Sequence, residues 1–185
     1  MQTVRWKFFI NFEKDEAWLN EMAKKGLALN GYALCRYTFT DCSPGEYTYR
    51  IEFLRYYSSH PESQQYLSFL AENGVEHVAS WARWGYFRKR TEGGQFDIYS
   101  DVTSRIEHYQ RVNVLWLFIM CSFFIQAICH TYIGIESLLS ELERTSTMSL
   151  VYAPIFLLLG VALFFAWNSI RKKIKGLRLE RQLRE

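Results

Sequence analysis

No stretch of this 185-residue chain carries a Gly-rich phosphate loop, a dinucleotide glycine fingerprint, a GxSxG elbow or an HExxH pair. The catalytic motifs that a sequence alone can announce are therefore missing, and no enzyme is expected. Cysteine is scarce: Cys35 and Cys42 lie far from Cys121 and Cys129, and no CxxC or Cys/His spacing suggests a zinc site. All four are expected to be reduced, and no metal and no cofactor is expected. The four histidines, His60, His77, His108 and His130, are scattered without a second ligand at useful spacing. His60 precedes Pro61 and is placed at the start of a helix. His130, with Gln126 one turn earlier, is expected to hydrogen-bond to a neighbouring helix or to reach an interface. An excess of charge is also missing from the front of the chain, where residues 1–111 hold 14 Lys/Arg and 14 Asp/Glu. A neutral domain lacks the cationic surface that drives counterion release, so nucleic acid is not an expected partner.

What is present is apolar length. Two runs, residues 112–135 and 148–170, each reach the roughly 20 residues that a helix needs to cross a bilayer. They are joined by residues 136–147, which hold Glu136, Glu141 and Glu143 against Arg144 alone. The second run is followed by a basic tail, 171–185, with seven basic residues against two acidic ones. Positive charge stays on the cytoplasmic side, so both termini are expected in the cytoplasm and the short acidic loop outside. Arg171, Lys172, Lys173 and Lys175 are the residues expected to set this orientation and to meet anionic lipid headgroups. Met1–Phe12 holds only a strand-length apolar stretch, and no cleavable leader is expected there.

Residues 1–102 read as an α+β domain, and 103–111 as a helical stem capped by Thr103 or Ser104. Arg5–Phe12 reads as a strand and Glu13–Lys25 as a helix with a Trp18, Leu19, Met22 stripe, stopped by Gly26. The acids Glu13, Asp15, Glu16 and Glu21 read as a solvated face that complements the helix dipole. Tyr47, Tyr49, Ile51 and Phe53 alternate with Thr48, Arg50 and Glu52, the pattern of a half-solvated antiparallel strand. The pattern then recurs 48 residues on: Trp18-Leu19 to Gly26 aligns with Tyr66-Leu67 to Gly74. This predicts two β-α-β-β pseudo-repeats that form one ferredoxin-like antiparallel sheet with both helices on one face. A second hairpin is expected between Trp81–Arg90 and Phe96–Ser100.

The segment Ser80–Arg90 combines aromatics with cations. Such a face can form a pocket for an amphipathic molecule or an anionic headgroup, or it can fill the core while Arg and Lys reach for water. Arg50, Trp81, Arg83, Trp84 and Tyr86 are the candidate ligand- or partner-binding residues. The WLNEMA segment from Trp18, the run Pro44–Ile51 and the Tyr86-Phe87-Arg88-Lys89 segment carry a further signal. Through them, residues 5–111 resemble a bacterial domain-of-unknown-function family, number 2812, often encoded beside PadR-type regulators. The resemblance implies a bacterial origin, hence the cytoplasmic (inner) membrane, and a regulatory role, and it transfers no site residues. The expected function is a membrane-anchored cytoplasmic interaction or sensing module that binds a protein partner, a second copy or a small amphipathic ligand. The alternative is an accessory subunit of a transporter-type membrane complex, with the helical hairpin as its binding surface.

Overall fold

The structure is a computed structural model and describes residues 2–93, 96–99, 101–139 and 148–184. They divide into two compact units, Met1–His108 and Tyr109–Glu185. The first contains β1 (Gln2–Trp6), α1 (Phe12–Lys24), β2 (Leu27–Ala33), β3 (Arg36–Asp41) and β4 (Tyr47–Phe53), then α2 (Pro61–Glu72), β5 (Val75–Trp81) and β6 (Trp84–Arg90). It also holds the first turns of α3 (Val102–Leu139). The strands form two three-stranded antiparallel sheets, ordered β1-β3-β2 and β4-β6-β5. The α+β class is as expected from the sequence, whereas the single sheet is replaced by two.

Local chemistry explains the boundaries. The Asn11 side chain accepts the Glu13 N–H at the start of α1, and His60 Nδ1 accepts the Glu62 N–H at the start of α2, where Pro61 needs no partner. Both helices stop at a glycine with left-handed backbone, Gly26 (φ +79°) and Gly74 (φ +75°), each donating back into the last turn. The cap of α3 is Asp101, not Thr103 or Ser104: its carboxylate accepts the Ser104 N–H at 2.6 Å, which holds its pKa below the usual range. The register shifts in β2 at Leu29/Gly31 and in β5 at His77/Ala79, positions 48 residues apart. The β2–β3 turn carries two left-handed residues, Leu34 (φ 38°) and Cys35 (φ 68°), and the β5–β6 turn carries Ala82 (φ 51°).

The two helices lie on opposite faces of the second sheet. Neighbouring residues of a strand point to opposite faces. Tyr86 belongs to a core with Leu19 and Ala23 of α1, while Phe87 packs with Leu70 of α2, Leu54, Val75 and Phe96. Strand β6 is therefore buried on both sides through Gly85, Tyr86 and Phe87. This corrects the expectation of both helices on one face. The predicted hairpin is corrected too: β6 pairs with β5 across the Ala82-Arg83 turn, and Phe96–Tyr99 forms no strand. A Cβ at Gly85 would lie 2.8 Å from Phe87 Cε2. Phe87 is fully buried and has little room to move, so Gly85→Ala is expected to cost about 1–3 kcal/mol, measured as a loss of thermal stability.

The sheet edges are treated unequally. On the outer edge of β4 the N–H groups of Tyr49, Ile51 and Phe53 donate to Asn20 Oδ1 (2.8 Å), Glu16 Oε2 (3.0 Å) and His108 Nδ1 (3.3 Å). Side chains of α1 and α3 thus take the place of a neighbouring strand. The Lys7 N–H bonds the Cys35 carbonyl as that of Leu54 bonds Arg83, so Gln2, Val4 and Trp6 of β1 are the counterparts of Tyr49, Ile51 and Phe53. No equivalent bond is formed by them among the described residues.

In the second unit, α3 and α4 (Ser149–Arg184) are both long and apolar enough to cross a membrane. They touch through Phe123 on Phe156 and through Gly160, where a Cβ would sit 3.2 Å from the Phe124 ring. His130 stacks flat on Phe156 at 5.2 Å, and its Nδ1 is buried without a hydrogen-bond partner among the described residues. Phe118, Ile128, Leu158 and Phe165 point outward, the distribution suited to an apolar solvent. The expected acidic loop falls on residues 136–147, of which 140–147 lie outside the described residues.

Candidate functional site

Helix α1 presents two acidic groups to the interior because of its spacing. Asp15, Leu19 and Ala23 recur every fourth residue and share the face that meets the core. Glu16 and Asn20, one step round the helix, meet the edge of β4. The reading of these acids as a solvated face is thereby corrected for Asp15 and Glu16.

Asp15 is 5% exposed. Its Oδ2 accepts the Tyr86 hydroxyl at 3.1 Å, while Oδ1 makes no hydrogen bond of good geometry among the described residues. Tyr32 closes the cluster, its ring 4.5 Å from that of Tyr86 and 4.7 Å from that of Tyr37. Burial raises the Asp15 pKa to about 6, and hydrogen bonding by Tyr37 and Tyr86 offsets only part of that rise. Burial and the adjacent carboxylate push both phenols up, so Tyr37 and Tyr86 stay protonated donors. The cluster can change charge near neutral pH. It places no nucleophile next to a base.

Glu16 is also raised, first by burial, against the opposing pull of the Ile51 N–H and of Arg50. Its ion pair with Arg50 spans 3.0 Å. Arg88 grips Glu76 with two bonds of 2.8 Å and donates to the Leu29 carbonyl at 3.1 Å. The Leu29 N–H in turn donates to the Tyr49 hydroxyl at 2.8 Å. Side chains of the second sheet thereby hold the backbone of the first at both groups of one residue.

Of the five residues singled out from the sequence, Trp81, Arg83 and Trp84 meet at the β5–β6 turn, where Trp81 is paired with Trp84, and Arg50 and Tyr86 do not join them there. Tyr86 is in the core, and Trp84 packs on Phe12 and Phe53. Arg50 is engaged by Glu16 and lies over the Phe96 ring. Arg83 lies 4.4 Å over the Phe53 ring and donates to the Leu54 carbonyl. Trp81 remains at the surface, 42% exposed. Asp15 was the residue missed. Its only signal was the four-residue spacing to Leu19 and Ala23. Cys35, Cys42, Cys121 and Cys129 are free thiols, and His77 bonds Ser80 Oγ at 2.7 Å. Among the described residues no three His, Cys, Asp or Glu side chains are placed to hold a metal ion.

No curated protein and no solved structure matches the chain. A family model does, over residues 11–121, which run from the N-cap of α1 into the apolar part of α3 and leave β1 outside. The chain belongs to the family described as "Protein of unknown function (DUF2812)".

Proposed function

We propose that this chain is a membrane-anchored module that acts by binding rather than by catalysis. In this reading α3 and α4 cross the bacterial inner membrane, both termini lie in the cytoplasm, and the N-terminal unit binds a protein partner or a small amphipathic ligand. The observation that carries it is the pair of long apolar helices with outward-facing Phe and Leu, the second running on into Arg171, Lys172, Lys173 and Lys175. The commitments of the polar groups in the N-terminal unit add support. Glu16, Asn20, Arg50 and Arg88 are each engaged in joining elements, which leaves them poorly suited to turning over a substrate. We read the fold as a duplicated β-α-β-β unit, supported by the 48-residue recurrence of helix-ending glycines and register shifts.

The anchor is tested by washing vesicles from expressing cells with alkaline carbonate, with reporters fused at either terminus. Retention in the pellet with both reporters on the cytoplasmic side is expected; release into the wash sinks the reading. Exchange of α3 and α4 for an unrelated helical hairpin then tests the mode of action. A binding module keeps its co-purifying partner after the exchange. An accessory subunit that binds through its helices loses it.

A further inference from the structure

Several exposed apolar side chains of the N-terminal unit lie on β1, the segment that follows it and the β2–β3 turn beside it. Trp6 and Phe8 are each 72% exposed, and Ile10 is 52% exposed. They alternate with Lys7 and Phe9, which meet Trp18: the exposed Lys7 ammonium lies 4.8 Å from the Phe9 and Trp18 rings, and Phe9 packs on Trp18 and Tyr37. The β2–β3 turn adds Leu34, 62% exposed, because the Lys7 N–H bonds the Cys35 carbonyl at 2.9 Å and Trp6 is paired with Arg36. Such a set on a soluble surface normally marks an interaction site.

Charge selects the partner. Residues 1–12 contain no carboxylate, Arg36 is paired with Trp6 on its face of the sheet, and Arg5 projects from the other face of the same edge strand. Trp, Phe and Leu beside arginine is a composition that settles into the headgroup layer of a membrane, and the cations favour anionic lipid. The open edge of β1 fits the same depth. The N–H groups of Gln2, Val4 and Trp6, which form no bond among the described residues, would stay hydrated among headgroups but could not enter hydrocarbon. We infer that the corner formed by Trp6, Phe8, Ile10 and Leu34, with Arg5 and Arg36, docks on an anionic lipid surface. This inference rests on the membrane anchoring proposed above, since a tethered unit needs only weak contacts to stay docked.

The test uses the full chain in a cysteine-free background, reconstituted into vesicles of phosphatidylcholine with or without phosphatidylglycerol. An environment-sensitive fluorophore is placed through Phe8→Cys or, as control, through Phe69→Cys, an exposed apolar site on α2, the helix that carries Glu62 and Glu72. On phosphatidylglycerol vesicles the Phe8 label is expected to shift to the blue and be quenched by doxyl lipid, while the Phe69 label stays in water. Joint Arg5→Glu and Arg36→Glu substitution is expected to weaken docking about fivefold per charge removed. A Phe8 label that stays in water overturns the inference. So does quenching that is equal at both sites, or unaffected by headgroup charge and by the substitutions. Carbonate washing of the same vesicles reports on the anchor separately, so loss of the anchor and loss of docking are distinct results.

Discussion

Asp15→Asn is expected to stabilise the N-terminal unit by about 3 kcal/mol above pH 7 and to have almost no effect at pH 4. The Asp15 carboxyl has a pKa of about 6 in the fold against 3.8 for an unperturbed aspartate. The folded state therefore holds the proton more tightly than the unfolded chain. Its contribution is fully present below pH 4, declines as pH rises through 6, and is lost above 7. An asparagine keeps an acceptor for the Tyr86 hydroxyl and never ionises. The measurement is urea unfolding of the full chain in detergent, followed by near-ultraviolet circular dichroism, at several pH values. Glu16 also titrates upward, while Glu46 and Asp101 titrate downward, so the difference between variant and wild type, not either curve alone, isolates Asp15. Equal stability of the two proteins at pH 8 would mean that the site relaxes or admits water on ionisation.

Asn20→Leu is expected to cost about 2–4 kcal/mol, from the desolvation of groups left without partners. Asn20 both accepts the Tyr49 N–H at 2.8 Å and donates to the Tyr49 carbonyl at 3.1 Å. The carbonyl keeps a weaker bond of 3.3 Å from Arg50, whereas the N–H loses its acceptor. Hydrogen exchange supplies the specific readout: the Tyr49 amide should lose protection, while Tyr37 and Phe39 in the other sheet change little. Uniform loss across both sheets would contradict this assignment of the edge.

The elements and their order were largely legible, because helix stops and strand alternation are local. Gly26 and Gly74 end their helices where a left-handed residue is needed, and Tyr47–Phe53 alternates because one of its faces is more polar. The division into two sheets was not legible. Strand β6 carries Trp84, Gly85, Tyr86 and Phe87 in succession, and an apolar run shows no period by which to assign faces. The turn before it lacks the Gly or Asn that normally marks a tight hairpin, so Ser80–Arg90 reads as one strand. Read so, Trp81 and Trp84 fall on opposite faces, whereas in the fold one ends β5, the other begins β6, and the two are paired side by side across the turn. The burial of Asp15 was hidden for a different reason. An acid in the first turn of a helix is already explained by the helix dipole, and only the fold reveals that this turn is enclosed by three tyrosines.

The stitching of β4 makes the N-terminal unit indivisible. Severed between Asp41 and Tyr47, the seam implied by the 48-residue recurrence, the later fragment would retain His108 but forfeit Glu16 and Asn20. The amides of Tyr49 and Ile51 would then lie bare along a strand rich in aromatics, an invitation to fibrous self-association. If the unit arose by the duplication proposed above, an ancestral half would have needed to shield that border in another way, for example by docking with its own twin. Fusion into a single polypeptide would have made such a lodger permanent.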